Sequence, residues 1–536
     1  MGRRAASVVV TPDSVSIGIG RTIQMLATIR NSAGDILTDR AVTWESSDAI
    51  RATVSDSGLV SARSAGQVSI HATADSVSGA STLIVLTPVA SVVVSPQAAI
   101  LVPGGSLDFT VELHGPLFEP LSDRFVTWSI GDSLSATVSS TGQVQAVQVG
   151  AATLSAHSEG VSSNPVAVSV IQPEFYSIAS GPGANHTCAL TGGGTAFCWG
   201  FNYEGELGIG VYDRDQGLAS GKLLPAGIAS VPLVFSVTAG SHFTCGLSNY
   251  PYGGLAYCWG GVGGELGNGS LGTSALPALV QTGLLFSSVS SGTDHTCAIA
   301  TDSAAYCWGR PPGIGTGNFP SPQALTPVGV DGGLKFRILG TGTHLTCGLS
   351  ADSLAYCWGN TIGNDTASAA PGPHAVSGGL RYVTLTVGDG HACGIATDWI
   401  TFCWGRNSSG QLGNGSTDTA TAPVMVSGGN TFVALTVGFA SSCGLTATGN
   451  AYCWGQNTYG QLGSTSGETC TGHLCSTTPI PVSGGLQFQA LASGAAHVCG
   501  LTLGRVAHCW GANNAGQLGD GTRTNRAVPT RVLGQP

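Results

Sequence analysis

The tripeptide Cys-Trp-Gly recurs seven times in this 536-residue chain, and its regular spacing constrains the fold more than any other feature. Its cysteines are Cys198, Cys258, Cys307, Cys357, Cys403, Cys453 and Cys509. Each copy closes a unit that opens on an aromatic residue and a strand-like run ending in glycine, such as "FSSVSSG". Short strands with glycine-rich excursions, repeated about every fifty residues, are typical of β-propeller blades. One blade cannot bury both faces of its sheet, so the seven units predict a seven-bladed ring.

The composition favours an all-β chain with a polar, nearly uncharged surface. Charged residues make up 9% of the sequence, lysine occurs only at Lys222 and Lys335, and 81 glycines accompany 42% apolar residues. Such a composition is typical of short strands joined by tight turns. The formal net charge of −10, without a cluster of basic residues, argues against a nucleic-acid partner. No apolar run is long enough to span a bilayer, and no export signal is visible at the N-terminus.

All 16 cysteines lie beyond residue 172, and most of them form local pairs that predict disulfide-bonded hairpins. The pairs are Cys188/Cys198, Cys245/Cys258, Cys297/Cys307, Cys347/Cys357, Cys393/Cys403, Cys443/Cys453 and Cys499/Cys509. Six pairs are ten residues apart, and the exception keeps both flanking strands around a longer turn, so strand pairing defines the set. Directly opposed strand residues lie within or near disulfide range. Metal-binding or redox-active thiols are the alternative, which this spacing does not favour because metal knuckles need close ligands.

An eighth pair, Cys470 and Cys475, encloses His473 in "ETCTGHLC". The histidine allows a soft metal site, but we predict a further disulfide because the same chain contains seven other such pairs. An even set of paired cysteines indicates an oxidising compartment. We therefore expect an exported protein, located at the cell surface or in the extracellular space.

The first 172 residues contain two copies of one module at an offset of 84 residues. "ASVVVTP" at Ala6 returns as "ASVVVSP" at Ala90, and "VTW" ending at Trp44 returns ending at Trp128. Runs of β-branched residues between turns predict a small antiparallel sandwich for each copy, anchored by its tryptophan. The copies resemble the bacterial Ig-like domain, group 2, with boundaries at 1–88 and 89–172. The resemblance implies spacers or adhesive stalks on a bacterial surface.

The longer repeats resemble the regulator of chromosome condensation repeat family over residues 173–536. The resemblance is carried by "HTCAL" at His186, "YCWGQNTYGQLG" at Tyr452 and "HCWGANNAGQLGDG" at His508. It implies a seven-bladed β-propeller, although the third and fourth units have lost the full G-Q-L-G loop. The fold class is therefore all-β, with two Ig-like β-sandwich domains followed by a seven-bladed β-propeller. Bacterial members of the family imply protein binding, which suits an acidic exported chain better than the nucleotide exchange of the eukaryotic founder.

Histidine recurs just before the first cysteine of most units and raises the question of a metal ring. The residues are His186, His295, His391 and His497, two places before, and His242 and His344, three places before. The two sets differ by one position, and a shift of one residue along a strand reverses the side-chain direction, so the six side chains would not all face the same side. The sixth unit has Ser441 in place of a histidine. We therefore favour a repeated structural hydrogen bond over a metal site.

The sequence predicts a chain without catalytic residues, cofactor or metal. No nucleophile elbow, HExxH or Walker loop occurs, and "GVGGELG" at Gly261 is one copy of the repeat's own loop. Two alternatives stay open: a secreted hydrolase or lyase with a loop-built active site, and a self-associating structural subunit of an extracellular assembly.

We predict instead a binding or adhesion protein whose Ig-like stalk presents the propeller to a protein or glycan. The least repetitive loops are the expected contact surface, because binding residues concentrate on variable loops of a rigid scaffold. These loops are Tyr212–Lys222, Ser248–Gly254 and Gly467–Thr478. The candidate contact residues are Tyr203, Tyr212, Tyr250, Tyr252, Tyr459 and His473.

Overall fold

The computed structural model describes residues 4–214, 221–228, 233–248, 254–316, 323–359 and 370–536. These residues form strands and turns, which confirms the all-β prediction. Among them, no helix has the length and apolar character needed to cross a membrane. By its internal contacts the chain divides into two compact units. One comprises Met1–Val94, Val111–Ser129 and Ser155–Pro165, and the other Ser95–Thr110, Ile130–Leu154 and Val166–Pro536.

The first module is built from nine short strands in packed sheets. Its strands are β1(Ser7–Thr11), β2(Ser14–Gly18), β3(Thr22–Gln24), β4(Leu26–Arg30), β5(Thr43–Ser46), β6(Ala52–Val54), β7(Leu59–Ala62), β8(Gly66–Ala74) and β9(Val77–Leu86). One sheet has the order β2-β9-β8-β5 with β2 and β9 parallel, another has the order β3-β7-β6, and β1 pairs with β4. Alternate residues of β8, Val68, Ile70 and Ala72, are buried in the core against which Trp44 packs. Alternation of this kind is the pattern of a strand with one face on a core.

The second module repeats this pairing. Its strands are β10(Ser91–Ser95), β11(Ala98–Leu101), β12(Ser106–Asp108), β13(Thr110–His114), β14(Pro120–Leu121), β15(Thr127–Ile130), β16(Ala136–Val138), β17(Gln143–Ala146), β18(Gly150–Ser158), β19(Val161–Ser162) and β20(Val166–Val170). As in the first module, an early strand runs parallel to the last one, here β11 with β20, and β12, β17 and β16 form a three-stranded sheet.

The repeat region forms seven blades. Blade 1 is β21(Phe175–Ala179), β22(His186–Thr191), β23(Ala196–Gly200) and β24(Lys222–Gly227); blade 2 is β25(Val234–Ala239), β26(Phe243–Ser248), β27(Ala256–Gly260) and β28(Ser274–Leu279); blade 3 is β29(Phe286–Ser291), β30(His295–Ala300), β31(Ala305–Gly309) and β32(Ala324–Gly329); blade 4 is β33(Phe336–Thr341), β34(Leu345–Ser350), β35(Ala355–Gly359) and β36(Ala370–Ala375). Blade 5 is β37(Tyr382–Val387), β38(His391–Ala396), β39(Thr401–Gly405) and β40(Ala420–Met425); blade 6 is β41(Phe432–Val437), β42(Ser441–Thr446), β43(Ala451–Gln456), β44(Glu468–Cys470) and β45(His473–Pro481); blade 7 is β46(Phe488–Ser493), β47(His497–Thr502), β48(Ala507–Gly511) and β49(Arg526–Arg531).

The blades follow one another around a ring. Within each blade, consecutive strands are antiparallel neighbours, except that β45 precedes β44 in blade 6. The first strand of every blade packs against the first strand of the next, and β46 of blade 7 packs against β21 of blade 1. The Ala495 amide of blade 7 donates to the Ala184 carbonyl of blade 1 at 2.9 Å. The predicted fold class, two Ig-like sandwiches followed by a seven-bladed propeller, is confirmed.

The strand register gives each blade two distinct ends. In blade 1, His186 at the start of β22 pairs with Gly200 at the end of β23, and Gly200 pairs with Lys222 at the start of β24. We call this the loop end, because the long excursion from strand 3 to strand 4 leaves and returns here. The opposite side, where the hairpin joins strands 2 and 3, is the hairpin end.

One pairing joins the second module to the propeller within the larger compact unit. Ile100 and Leu101 of β11 pair antiparallel with Gly227 and Ala226 of β24. The outermost strand of blade 1 is therefore not an open edge, since β11 supplies its hydrogen-bonding partner.

Candidate binding surface

Disulfide bonds staple the two middle strands of every blade. The seven hairpin pairs read from the sequence, including Cys245 and Cys258, are bonded across β-strand partners with Cα atoms 4.0 to 4.1 Å apart. An eighth bond joins Cys470 to Cys475 across the hairpin of β44 and β45. In the described part of the chain, one group of potential metal ligands is compact enough to hold an ion, and it consists of Glu468 with these two bonded cysteines.

The repeated motifs meet at the joint between neighbouring blades. At the joint of blades 5 and 6, Trp454 Nε1 and Ser442 Oγ both donate to the Gln411 carbonyl, each at 2.9 Å. Gly413 has a φ of +68°, and a Cβ on it would lie 2.7 Å from Trp454 Nε1. The Cys-Trp-Gly strand of one blade therefore docks on the Gly-Gln-Leu-Gly loop of the blade before it. Corresponding indole bonds run from Trp259 to Glu206, Trp308 to Glu265, Trp358 to Gly313 and Trp510 to Gln461.

Four of the six histidines belong to the same joints. They are buried, and their Nε2 atoms lie 2.7 to 3.0 Å from a hydroxyl oxygen on the next blade. The pairs are His186 with Thr244, His295 with Thr346, His391 with Ser442 and His497 with Thr187. Because each hydroxyl gives its one proton to a loop carbonyl, the imidazole Nε2–H must donate to the hydroxyl oxygen. Burial lowers the pKa of His186 and His497 to about 3 and that of His391 to about 4, which keeps these rings neutral.

The other two histidines lie at the loop end and pair with acids. His242 Nδ1 lies 3.7 Å from the buried Glu206 carboxylate, which raises the pKa of His242. His344 Nδ1 lies 3.4 Å from Asp294, which raises the pKa of His344. Burial by itself would raise the pKa of Asp294, but the adjacent His295 and His344 rings outweigh it and lower the pKa to about 2. The loop end therefore has two close contacts between a histidine and a carboxyl group.

The candidate residues Tyr203 and Tyr212 project from the loop end of blade 1. Their exposed fractions are 37% and 41%. The Arg214 guanidinium lies 4.6 Å from the centre of the Tyr212 ring and donates to the Glu204 carboxylate at 2.7 Å. The Tyr203 ring stacks on Phe201 at 6.3 Å. Both tyrosines are therefore held in place, which suits an aromatic anchor because little rotamer freedom is left to lose on binding.

The candidate residues of blade 6 also lie at the loop end. Tyr459 follows β43 and is 46% exposed. His473 begins β45 and its Nε2 lies 3.0 Å from Ser409 Oγ, while Thr471 Oγ1 donates to the Ser408 carbonyl at 3.0 Å. The disulfide-closed hairpin of residues 468–475 is thereby fastened to the loop of blade 5.

The described ends of the three candidate loops do not share one side of the propeller. Lys222 and His473 start fourth strands at the loop end, whereas Ser248 ends the second strand of blade 2 at the hairpin end. Tyr250 and Tyr252 lie outside the described residues. The sequence did not mark Phe201 or Glu204 as contact residues, whereas Arg214 lies within the predicted loop Tyr212–Lys222.

Comparisons with family models agree with both parts of the fold. The bacterial Ig-like domain (group 2) matches residues 4–85 and 88–168. One model of the Regulator of chromosome condensation (RCC1) repeat matches residues 176–206, 286–311 and 426–461, and a second matches residues 448–501 and 506–536.

Curated relatives share only part of their length with this chain. Ice-binding protein 1 of Shewanella frigidimarina is 35% identical over 177 residues, which is 32% of this chain and 20% of that protein. The Ultraviolet-B receptor UVR8 of Arabidopsis thaliana is 32% identical over 130 residues, which is 24% of this chain and 28% of the receptor. The chain thus spans less than a third of either relative.

Solved structures show the same propeller fold. Prp20p of Saccharomyces cerevisiae matches 63% of this chain and 85% of its own, with a TM-score of 0.55 and 21% identity. Human WBSCR16 matches 63% of this chain and 94% of its own, with a TM-score of 0.54 and 18% identity. Both module types are those of binding or surface proteins. The chain carries two bacterial Ig-like domains of group 2, followed by regulator of chromosome condensation repeats that form a seven-bladed β-propeller.

Proposed function

We propose that this chain is an exported cell-surface or secreted binding and adhesion protein whose propeller binds a protein or glycan at its loop end. The Ig-like domains, with boundaries at 1–88 and 89–172, serve as a stalk that presents the propeller of residues 173–536. The observation that carries the proposal is the set of exposed tyrosines at this end: Tyr203, Tyr212 and Tyr459 are each more than a third exposed. Tyrosine is a frequent anchor of binding surfaces because its ring adds apolar contact and its hydroxyl a hydrogen bond.

The cysteines support export. All sixteen are bonded and none is free, an arrangement that persists in oxidising compartments and is rare in the cytosol. The ice-binding relative and the yeast Prp20p, which binds Gsp1p and histones, are both binding proteins by name or description. Neither identifies the ligand of this chain.

The test is binding of the full chain to an array of immobilised extracellular proteins and polysaccharides. The wild-type chain is compared with a variant in which Tyr203, Tyr212 and Tyr459 are all replaced by alanine. The matched control is Tyr176→Ala, because Tyr176 is 49% exposed and lies at the hairpin end.

We expect the triple variant to lose at least tenfold in affinity for the bound component and the control to keep it, since aromatic anchors contribute about 2 kcal/mol or more. Loss of binding in the control, with the triple variant unaffected, would assign the ligand to the hairpin end. Absence of binding to every protein and polysaccharide would refute the proposal.

A further inference from the structure

A cavity of about 310 Å³ opens between blades 6 and 7 at the loop end. Thr458, Tyr459 and Thr465 of the blade 6 excursion line it from one side, with Leu474 of the hairpin 468–475. Asn525 and Ala527 of blade 7 line the other side. None of the described residues that line the cavity carries a charge. Its volume lies at the lower end of the range for small-molecule sites and accommodates roughly one or two sugar rings.

The walls of the cavity are fixed before any ligand arrives. Gly460 approaches blade 7 so closely that a Cβ on it would lie 2.5 Å from Ala527 Cα. The buried Asn457 side chain accepts from the Leu462 amide at 3.0 Å and donates to the Ser464 carbonyl at 2.9 Å, which holds the excursion together. The backbone amide of Asn457 donates to the Leu474 carbonyl at 2.7 Å. A cavity with prearranged walls costs a ligand little ordering entropy.

Three other joints of the propeller have a side-chain hydrogen bond at the corresponding position. In each, a side-chain donor bonds the backbone carbonyl of the residue that corresponds to Thr458. These bonds are Arg214 Nε to Tyr203 O at 3.3 Å, Thr471 Oγ1 to Ser408 O at 3.0 Å, and Arg523 Nη1 to Asn514 O at 3.0 Å. Within the described chain, the Thr458 carbonyl receives no such donor. The joint of blades 6 and 7 therefore lacks the side-chain donor that these three joints have.

The joint of blades 6 and 7 offers both a hydrogen-bond donor and a hydrogen-bond acceptor. Asn525 Oδ1 accepts from the Asn513 amide at 2.8 Å, which fixes the side chain and leaves its Nδ2 to donate. Among the described residues, neither Asn525 Nδ2 nor the Tyr459 hydroxyl has a hydrogen-bond partner. The cavity thus offers a carbonyl acceptor, an amide donor and a half-exposed aromatic ring.

We propose that the cavity between blades 6 and 7 binds an uncharged sugar unit, with Tyr459 as its stacking surface and Asn525 Nδ2 and the Thr458 carbonyl as its hydrogen-bonding groups. A sugar hydroxyl both donates and accepts, and the carbon–hydrogen face of the ring suits an aromatic side chain, so this ligand matches all three features. A charged ligand would find no counter-charge in the lining. The inference rests on the proposed function and narrows its ligand to a neutral glycan.

The test is titration of the full chain with methyl glycosides of glucose, galactose, mannose and N-acetylglucosamine, and with methyl glucuronide as the charged probe. Calorimetry gives the affinity, and saturation-transfer NMR gives the sugar protons in contact. Tyr459→Ala removes the stacking surface. Asn525→Asp keeps the Oδ1 acceptor and the shape but replaces the donor with an anion. Tyr176→Ala is the control from the hairpin end.

We expect at least one neutral glycoside to bind in the millimolar range, both cavity variants to weaken it tenfold or more, and the control to bind as the wild type does. Asn525→Asp decides the outcome if Tyr459→Ala fails to fold. Binding of the glucuronide alone, or of no glycoside, or equal affinity in the variants would overturn the assignment. If the triple tyrosine variant loses array binding while Asn525→Asp keeps it, the proposed function stands and this cavity is not the site.

Discussion

At the scale of single residues, the residues of the repeated motif contact each other across the joints between neighbouring blades. Histidine occurs where the next blade offers a hydroxyl, as in His391 with Ser442. Where the sixth unit replaces histidine by Ser441, the corresponding residue of blade 7 is Val498. At this joint both positions differ from the histidine–hydroxyl pattern, and a valine could not supply the partner that a buried imidazole needs. At the joint of blades 2 and 3 the hydroxyl-bearing Thr296 is kept, although blade 2 has Phe243 in place of the histidine. A buried histidine at a joint therefore indicates a threonine or serine hydroxyl on the neighbouring blade.

The glycine that follows the Gly-Gln-Leu motif is fixed by both backbone and space, and Gly413 tests this. We expect Gly413→Ala to lower the free energy of unfolding by about 3 kcal/mol, of which roughly 1 to 2 come from the left-handed φ and the rest from the clash with Trp454. Gly415 is the matched control, because its φ is +85° but a Cβ there would meet nothing within 4 Å. Urea unfolding followed by tryptophan fluorescence measures both, and an equal loss in the two variants would contradict the packing explanation.

At the scale of elements, the sequence predicted each hairpin well because its information is local. Two cysteines ten residues apart around a turn leave few alternatives to an antiparallel pair, and Cys188 opposes Cys198 as that argument requires. The side of the propeller on which a loop lies is less apparent, because it depends on counting every strand. Ser248 and Lys222 both border loops that depart from the repeat, yet their strands place them at opposite ends. The segments that depart from the repeat predicted variable loops, but they did not predict which loops lie at the same end of the propeller.

The buried histidines make the blade joints sensitive to acid, and the sign follows from their lowered pKa values. Below an unfolded pKa of about 6.5 the unfolded chain binds protons that the folded chain excludes, so stability is complete above this pH and falls as the pH drops toward 4. Each such histidine contributes a slope of up to about 1.4 kcal/mol per pH unit. We expect His391→Ser, which copies the residue at position 441, to be less stable at pH 7.5 but to lose less between pH 6.5 and 4.5.

Urea unfolding at a series of pH values checks this prediction. The control is Ser441→Ala, which changes the corresponding position in a unit without a histidine and leaves the number of titrating groups unaltered. We expect its pH profile to run parallel to that of the wild type. A profile for His391→Ser that is as steep as the wild type would show that His391 does not supply the acid sensitivity.

At the scale of the whole molecule, the order of domains and the number of blades followed from repeats that are visible in the chain. The pairing of β11 with β24 did not, because it joins residues 100 and 227, and neither segment carries a motif that specifies the other. The cavity between blades 6 and 7 was hidden for a similar reason. Tyr459 was recognisable as a candidate. That the Thr458 carbonyl has no side-chain donor among the described residues becomes apparent only by comparison with the three joints that have one.

The closure of the ring depends on one joint that no local repeat can supply, the contact of blade 7 with blade 1. Thr187 Oγ1 donates to the Gln517 carbonyl at 3.1 Å and lies 2.8 Å from His497 Nε2, so it connects both motifs across the closure. Thr187→Val keeps the volume but leaves a buried imidazole and a buried carbonyl without this partner. We expect it to cost roughly 2 to 4 kcal/mol and to speed hydrogen exchange of the Ala495 amide, which bonds blade 1.

The double variant Thr187→Val with His497→Ser separates the cost of an unpaired histidine from the loss of the joint itself. It recreates at the closure the pair that stands between blades 6 and 7, Ser441 with Val498. Because the unpaired imidazole is then gone, we expect the double variant to regain about 1 to 2 kcal/mol over Thr187→Val, a coupling that a double-mutant cycle measures. Additive losses would mean that the two residues act independently, and that the ring is closed by the packing of its first strands and not by this hydrogen-bonded pair.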